Sequence, residues 1–160
     1  MLKGRETLLS VMRDTRMGRM LAKMHAAQAL GQMQADWARD ALFEVIESGD
    51  EHSQHFALMG LMLDHEVPLD DRILRMLNHD LSYNRSMAIQ IIVMRSPENM
   101  AELLRPMLKD DEDHVRWSAA IQLYILGDPE AVKMVEEADA SSDPEQREWA
   151  ARAKGRMQRE

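Results

Sequence analysis

The sequence keeps its apolar residues in register when it is displaced along itself by 31 residues. Ala26, Ala57, Ala88, Ala119 and Ala150 fall in one row, followed one place on by Ala27, Leu58, Ile89, Ala120 and Ala151. Four places after the alanines stand Leu30, Leu61, Ile92 and Leu123. Apolar residues at such a spacing form one face of a helix. A second set obeys the same period: Leu42, Ile73, Leu104 and Val135; Val45, Met76, Met107 and Ala138; Ile46, Leu77 and Leu108. Val11, in the Leu42 row, and Met12, one repeat before Phe43, carry the apolar pattern back into a leading half-repeat. Two amphipathic helices per 31-residue period are the signature of an α-solenoid, in which each unit buries its apolar face only against its neighbours.

The connections agree with that reading. SGDEH (48–52), NHDLS (78–82), DDEDH (110–114) and SSDPE (141–145) put Asp, Ser or Asn ahead of the alanine helices, where these side chains can accept from unbonded helix N–H groups. RSPEN (95–99) and LGDPE (126–130) put a proline near the first turn of the second helices, and Pro68 and Asp70 mark the same point in the second copy. Helices are expected near 5–14, 17–31, 36–48, 52–64, 69–79, 83–95, 98–109, 114–126, 129–139 and 145–158. No linker divides them, so one domain over residues 1–160 is expected.

Composition narrows the chemistry. Good helix formers dominate, aromatics are 4% and there are 15 methionines, which implies an aliphatic and adaptable core. The absence of cysteine excludes disulfides, thiolate metal sites and cysteine nucleophiles. No apolar run reaches the roughly 18 residues of a membrane helix. MLKGRETLLSVMR at the start lacks the apolar segment of a secretory signal, so a cytoplasmic location is expected. The net charge is −8, yet residues 1–24 hold six basic and two acidic residues, a balance of +4, which leaves −12 on the remainder. An acidic body disfavours a nucleic-acid backbone and suits a protein partner of basic or mixed charge.

The fourth copy, DHVRWSAAIQLYILGDPEAV (113–132), resembles the HEAT-like repeat, in particular the short form also found in phycobilin lyases. Asp113, Val115, Arg116, Ala119, Ala120, Leu123, Gly127, Asp128, Pro129, Glu130 and Ala131 match that family's pattern. The third copy keeps Arg85, Ala88, Ile89 and Ile92, with Ser96-Pro97-Glu98 at the turn; the first two keep the alanine and the apolar stripe. The resemblance implies an all-α, right-handed and curved solenoid of about five two-helix repeats, about ten helices, with the second helices on the inner surface. It also implies that the recurring arginine (Arg85, Arg116 and Arg147, with Gln54 and Lys23 in earlier copies) bonds an acidic turn residue of an adjacent unit. For Arg116 the candidates are Asp80 and Asp113. The repeat is a scaffold, and its presence assigns no activity.

Candidate chemistry is sparse. His52 and His55 lie one helical turn apart, but a third ligand from Asp50, Glu51 or Asp80 has no sequence support, and no metal is assigned. His65-Glu66 is a single His-Glu pair, whereas deoxyhypusine hydroxylase, an iron enzyme of similar repeats, needs several. There is no Gly-x-Ser-x-Gly elbow and no glycine-rich phosphate loop. Trp37, Trp117 and Trp149 fall in different rows, unlike the aromatic, basic groove of an alkylpurine DNA glycosylase. His52, Tyr83 and His114 share a row and are expected to cover the turns between repeats.

The expected function is a non-catalytic interaction scaffold or adaptor with no cofactor. Rows that vary from copy to copy do not serve the packing of the repeat. On the second helices these are Asp40, Asp71, Glu102 and Lys133, and Phe43, Leu74, Arg105 and Glu136. The expected partner surface is therefore Asp40, Phe43, Glu44, Asp71, Leu74, Arg75, Glu102 and Arg105. Phe43 and Leu74 would be apolar anchors among acids that suit a basic partner. The basic segment with Arg13, Arg16, Arg19 and Lys23 is a secondary patch. Two alternatives stand beside this reading: a nucleic-acid-binding solenoid using that segment, and a lyase-like tetrapyrrole chaperone.

Overall fold

The computed structural model describes residues 2–14 and 20–157. Among them are ten α-helices and no strand: α1 (Leu2–Met12), α2 (Met20–Gln32), α3 (Asp36–Ser48), α4 (Glu51–Leu63), α5 (Asp71–Met76), α6 (Ser82–Arg95), α7 (Met100–Leu104), α8 (Asp113–Ile125), α9 (Pro129–Asp139) and α10 (Pro144–Met157). The chain divides into two compact units, Met1–Ile91 and Ile92–Glu160. In the first, α2 packs on α1, α3 and α4; in the second, α8 packs on α9, on α10 and on the segment after α7. These stacked helix pairs are the makeup of an α-solenoid.

The repeat rows are the core. Ala57, Ala88, Ala119 and Ala150 are fully buried, as are Leu61, Ile92 and Leu123 four places on and Leu42, Ile73, Leu104 and Val135 on the second helices. A methyl group at the alanine row lets backbones approach, and the leucine row fills the space that this leaves. The row after the alanines is buried through Ala120, but Ala151 is exposed on the last helix.

Helix ends follow their capping residues. Asp50 accepts from the Ser53 N–H, Asp70 from the Arg72 N–H, and Asp128 from the Glu130 and Ala131 N–H groups. Ahead of α6 the turn is closed by His79, whose Nδ1 accepts from the Leu81 N–H at 3.1 Å. Two second helices are shorter than their rows suggest. Helix α5 ends at Met76, and its last carbonyls are taken by i+3 bonds from Asn78 and His79. Helix α7 gives way to a 3₁₀ segment, Arg105–Lys109, because Pro106 has no N–H to continue the α ladder.

One further row emerges only in three dimensions. Gln34, Ser96 and Gly127 follow α2, α6 and α8 at multiples of the repeat, and all have positive φ (48°, 42° and 74°). At Gly127 the turn is a Schellman motif: the Asp128 N–H reaches the Leu123 carbonyl and the Gly127 N–H that of Tyr124. Glycine meets this left-handed requirement without strain, whereas Gln34 and Ser96 meet it at a cost.

The arginine row makes a recurring main-chain contact. Arg85, Arg116 and Arg147 each donate to the backbone carbonyl six residues earlier, those of His79, Asp110 and Ser141. Arg116 also pairs with Asp113, one of its two expected acidic partners, at the start of its own helix. Arg85 reaches Asp80 through its main-chain oxygen at 3.1 Å. The arginine thus ties its own helix to the turn before it. Acidic partners between neighbouring helix pairs are also met from the second helices: Arg39 of α3 grips Asp64 at the end of α4, and Arg105 grips Asp128 at 2.7 and 3.0 Å.

Candidate functional site

Helices α2 and α4 cross closely because the crossing is built from small residues. A Cβ on Gly60 would lie 2.5 Å from the Ala27 carbonyl oxygen, and one on Gly31 would be closer still to the Gly60 carbonyl oxygen. Beside this crossing a groove of about 500 Å³ opens in the N-terminal unit. Met24 and Gln28 of α2, His55, Met59, Met62 and Leu63 of α4, and Tyr83, Met87 and Gln90 of α6 line it. The lining holds four methionines and no Asp, Glu, Lys or Arg. Met59, Leu63 and Tyr83 are exposed, Tyr83 by 60%.

A second depression of about 220 Å³ continues from the first, sharing His55 and Tyr83 and reaching Glu51, His52, Leu81 and Asn84. The two rings at the junction meet edge to face, with centroids 4.6 Å apart. Nδ1 of His55 is buried and makes no hydrogen bond. Burial, and then the neighbouring His52, lower the pKa of His55, so it favours the neutral form. No group of three or more His, Asp or Glu is placed to hold a metal among the described residues.

The surface expected on the second helices is organised differently. Phe43 is only 3% exposed and lies under the Arg72 guanidinium, 3.7 Å from its ring centroid, so it widens the core stripe rather than standing out as an anchor. Arg72 also pairs with Asp40 at 3.3 Å and with Asp70 at 2.7 Å. Glu44 is held by Arg13, Arg75 faces Glu47 at 3.8 Å, and Arg105 is engaged with Asp128. Leu74 is half-buried, while Asp71 and Glu102 are exposed. Much of the acidity here is thus matched by bases of the same fold.

The basic N-terminal residues are likewise engaged. Lys23 is buried, with its Nζ 2.9 Å from Asp50 and 2.6 Å from the Ser53 hydroxyl, and Arg13 makes the bidentate pair with Glu44. Arg16 and Arg19 lie outside the described residues. The tryptophans also differ from their rows: Trp117 and Trp149 stack in parallel with centroids 5.9 Å apart, and Arg5 lies 4.9 Å from the Trp37 ring.

Residues 69–154, more than half of the chain, match the family described as HEAT repeats. The chain belongs to the HEAT-repeat family. HEAT repeats are generally scaffolds for protein–protein interaction, and proteins built from them are usually non-catalytic. No curated protein matches this HEAT-repeat chain. None of its described helices is long and apolar enough to cross a membrane.

The groove was open to sequence reasoning through one signal. Gln28, Met59 and Gln90 form a row at the repeat spacing whose residue type changes from copy to copy. On the first helices this row varies from copy to copy as the Asp40 and Phe43 rows do on the second helices. What the rows do not reveal is the close crossing at Gly31 and Gly60, since these glycines are 29 apart and share no row.

Proposed function

We propose that this chain is a non-catalytic protein-interaction module, working as one HEAT array over residues 1–160, and that its binding site is the groove between α2, α4 and α6. The observation that carries the reading is the lining: four methionines and exposed Leu63 and Tyr83 in one concavity without a formal charge. Methionine is flexible and polarisable, which suits a surface that moulds itself to an apolar partner segment. A tetrapyrrole brings carboxylates, for which this lining supplies no cation.

A second reading keeps the partner surface on the second helices, with Asp40, Glu44, Asp71, Leu74, Arg75, Glu102 and Arg105. It is favoured by Asp71, which is exposed and makes no ion pair among the described residues. One comparison separates the two. With a partner in hand, Met59→Glu should abolish binding and Asp40→Lys with Asp71→Lys should leave it unchanged, both variants melting near wild type. The reverse pattern would move the site to the second helices.

A further inference from the structure

Three features of the groove restrict what can occupy it. Its walls are the flanks of α2, α4 and α6, whose main-chain groups are already bonded within their own helices. An extended segment laid there would bury N–H and C=O groups with few partners, because along the larger depression the side chains offering polar atoms are Gln28, Gln90, His55 and Tyr83. A helix satisfies its own main chain and buries none of it. The second feature is length. The two depressions together follow α4 from Glu51 to Leu63, 13 residues, or about 18–20 Å at about 1.5 Å per residue, which matches three turns of a helix. The third is charge. The apolar part has no charged lining, whereas Glu51 at its end is exposed and makes no ion pair among the described residues.

We infer that the occupant is an amphipathic helix of a partner protein, with an uncharged apolar stripe and a basic residue at the end that meets Glu51. This rests on the groove being the binding site. Apolar side chains at i, i+3 or i+4 and i+7 would enter between Met24, Met59 and Met87, and the methionines would repack around whichever residues arrive. Tyr83 and His55 lie at the waist between the two depressions and would pack against the middle turn.

The test uses the full chain and three fluorescent peptides of about 14 residues, with binding read by anisotropy. The first has leucines at helical spacing and a lysine at each end; the second carries a central proline; the third has glutamates in place of the lysines. The first should bind. The second should bind about a hundredfold more weakly, since an interior proline costs a helix about 3 kcal/mol. The third should bind about two- to fivefold more weakly, and Glu51→Lys should invert that preference. Met59→Glu or Leu63→Glu should remove binding of the first peptide; both residues are exposed, so helicity and melting should stay near wild type. Equal binding of the first two peptides, both lost in Met59→Glu, would overturn the helical occupant and leave the groove as the site. Peptides that bind wild type no better than Met59→Glu would overturn the groove itself. Indifference to Glu51→Lys would overturn the charged end of the inference.

Discussion

Gly31 lies against the carbonyl oxygen of Gly60, with no room between the two helices for a side chain. That contact sets the separation of α2 and α4, and with it one wall of the groove. Gly31→Ala and Gly60→Ala should each force the helices apart and destabilise the protein by about 1–3 kcal/mol, despite alanine's better helix propensity. Urea denaturation would measure this. A gain in stability from either variant would mean that the crossing is loose.

The left-handed row predicts opposite effects at equivalent turns. Gly127 has open space around its Cα, so Gly127→Ala should cost about 1 kcal/mol through backbone strain alone. Ser96→Gly should instead gain a few tenths of a kcal/mol, the relief of strain exceeding the added chain entropy. A loss of stability at Ser96→Gly would show that its hydroxyl bond to the Val93 carbonyl outweighs the strain.

Arg39 and Asp64 form a buried ion pair between a second helix and the helix that follows it in the N-terminal unit, with Asp64 at 1% exposure. Asp64→Ala would leave the guanidinium without its main partner and should cost about 3 kcal/mol or more. Asp40→Ala removes only a solvent-exposed partner of Arg72 and should cost under about 1 kcal/mol. Similar losses for the two would refute this ranking.

Acid should unfold the protein through its helix caps. The Arg105 guanidinium holds the Asp128 carboxyl below its ordinary range. At Asp50 and Asp70 burial pushes the other way, but is outweighed by bonds from Ser53 and Lys23 and from Arg72. A carboxyl lowered on folding contributes stability that is present above its unfolded pKa and lost as pH falls through the folded one. His55, also lowered, adds a loss beginning below about 6.5. Melting temperature should therefore decline slightly from pH 7 to 5 and steeply below about 4. His55→Phe should flatten only the upper part of that profile.

Most of the architecture was legible because a 31-residue repeat writes each core position several times. Ala119 or Leu42 could be assigned to the interior from its row alone, and both are fully buried. The ends of α5 and α7 were less legible, since they depend on local bonding at Asn78 and Pro106 that occurs once each. The partner surface was read from exposed-looking variation without the ion pairs that engage it. Arg72 over Phe43 and Arg13 on Glu44 join residues about one repeat apart, and no row discloses which charges have found each other.

The turns at Gln34, Ser96 and Gly127 share one backbone form but not one residue type, and this bears on the order in which the chain assembles. Around Gly127 everything needed is local: a glycine for the left-handed residue, Asp128 as the cap and Pro129 to open α9. The pair α8–α9 can therefore begin to close on its own sequence. The turns at Gln34 and Ser96 oppose their local preference and must be imposed by packing that forms elsewhere. Folding should accordingly nucleate in the fourth repeat and spread towards the N-terminus, with mutations at Ala119 and Val135 slowing folding and those at Ala26 and Leu42 mainly speeding unfolding.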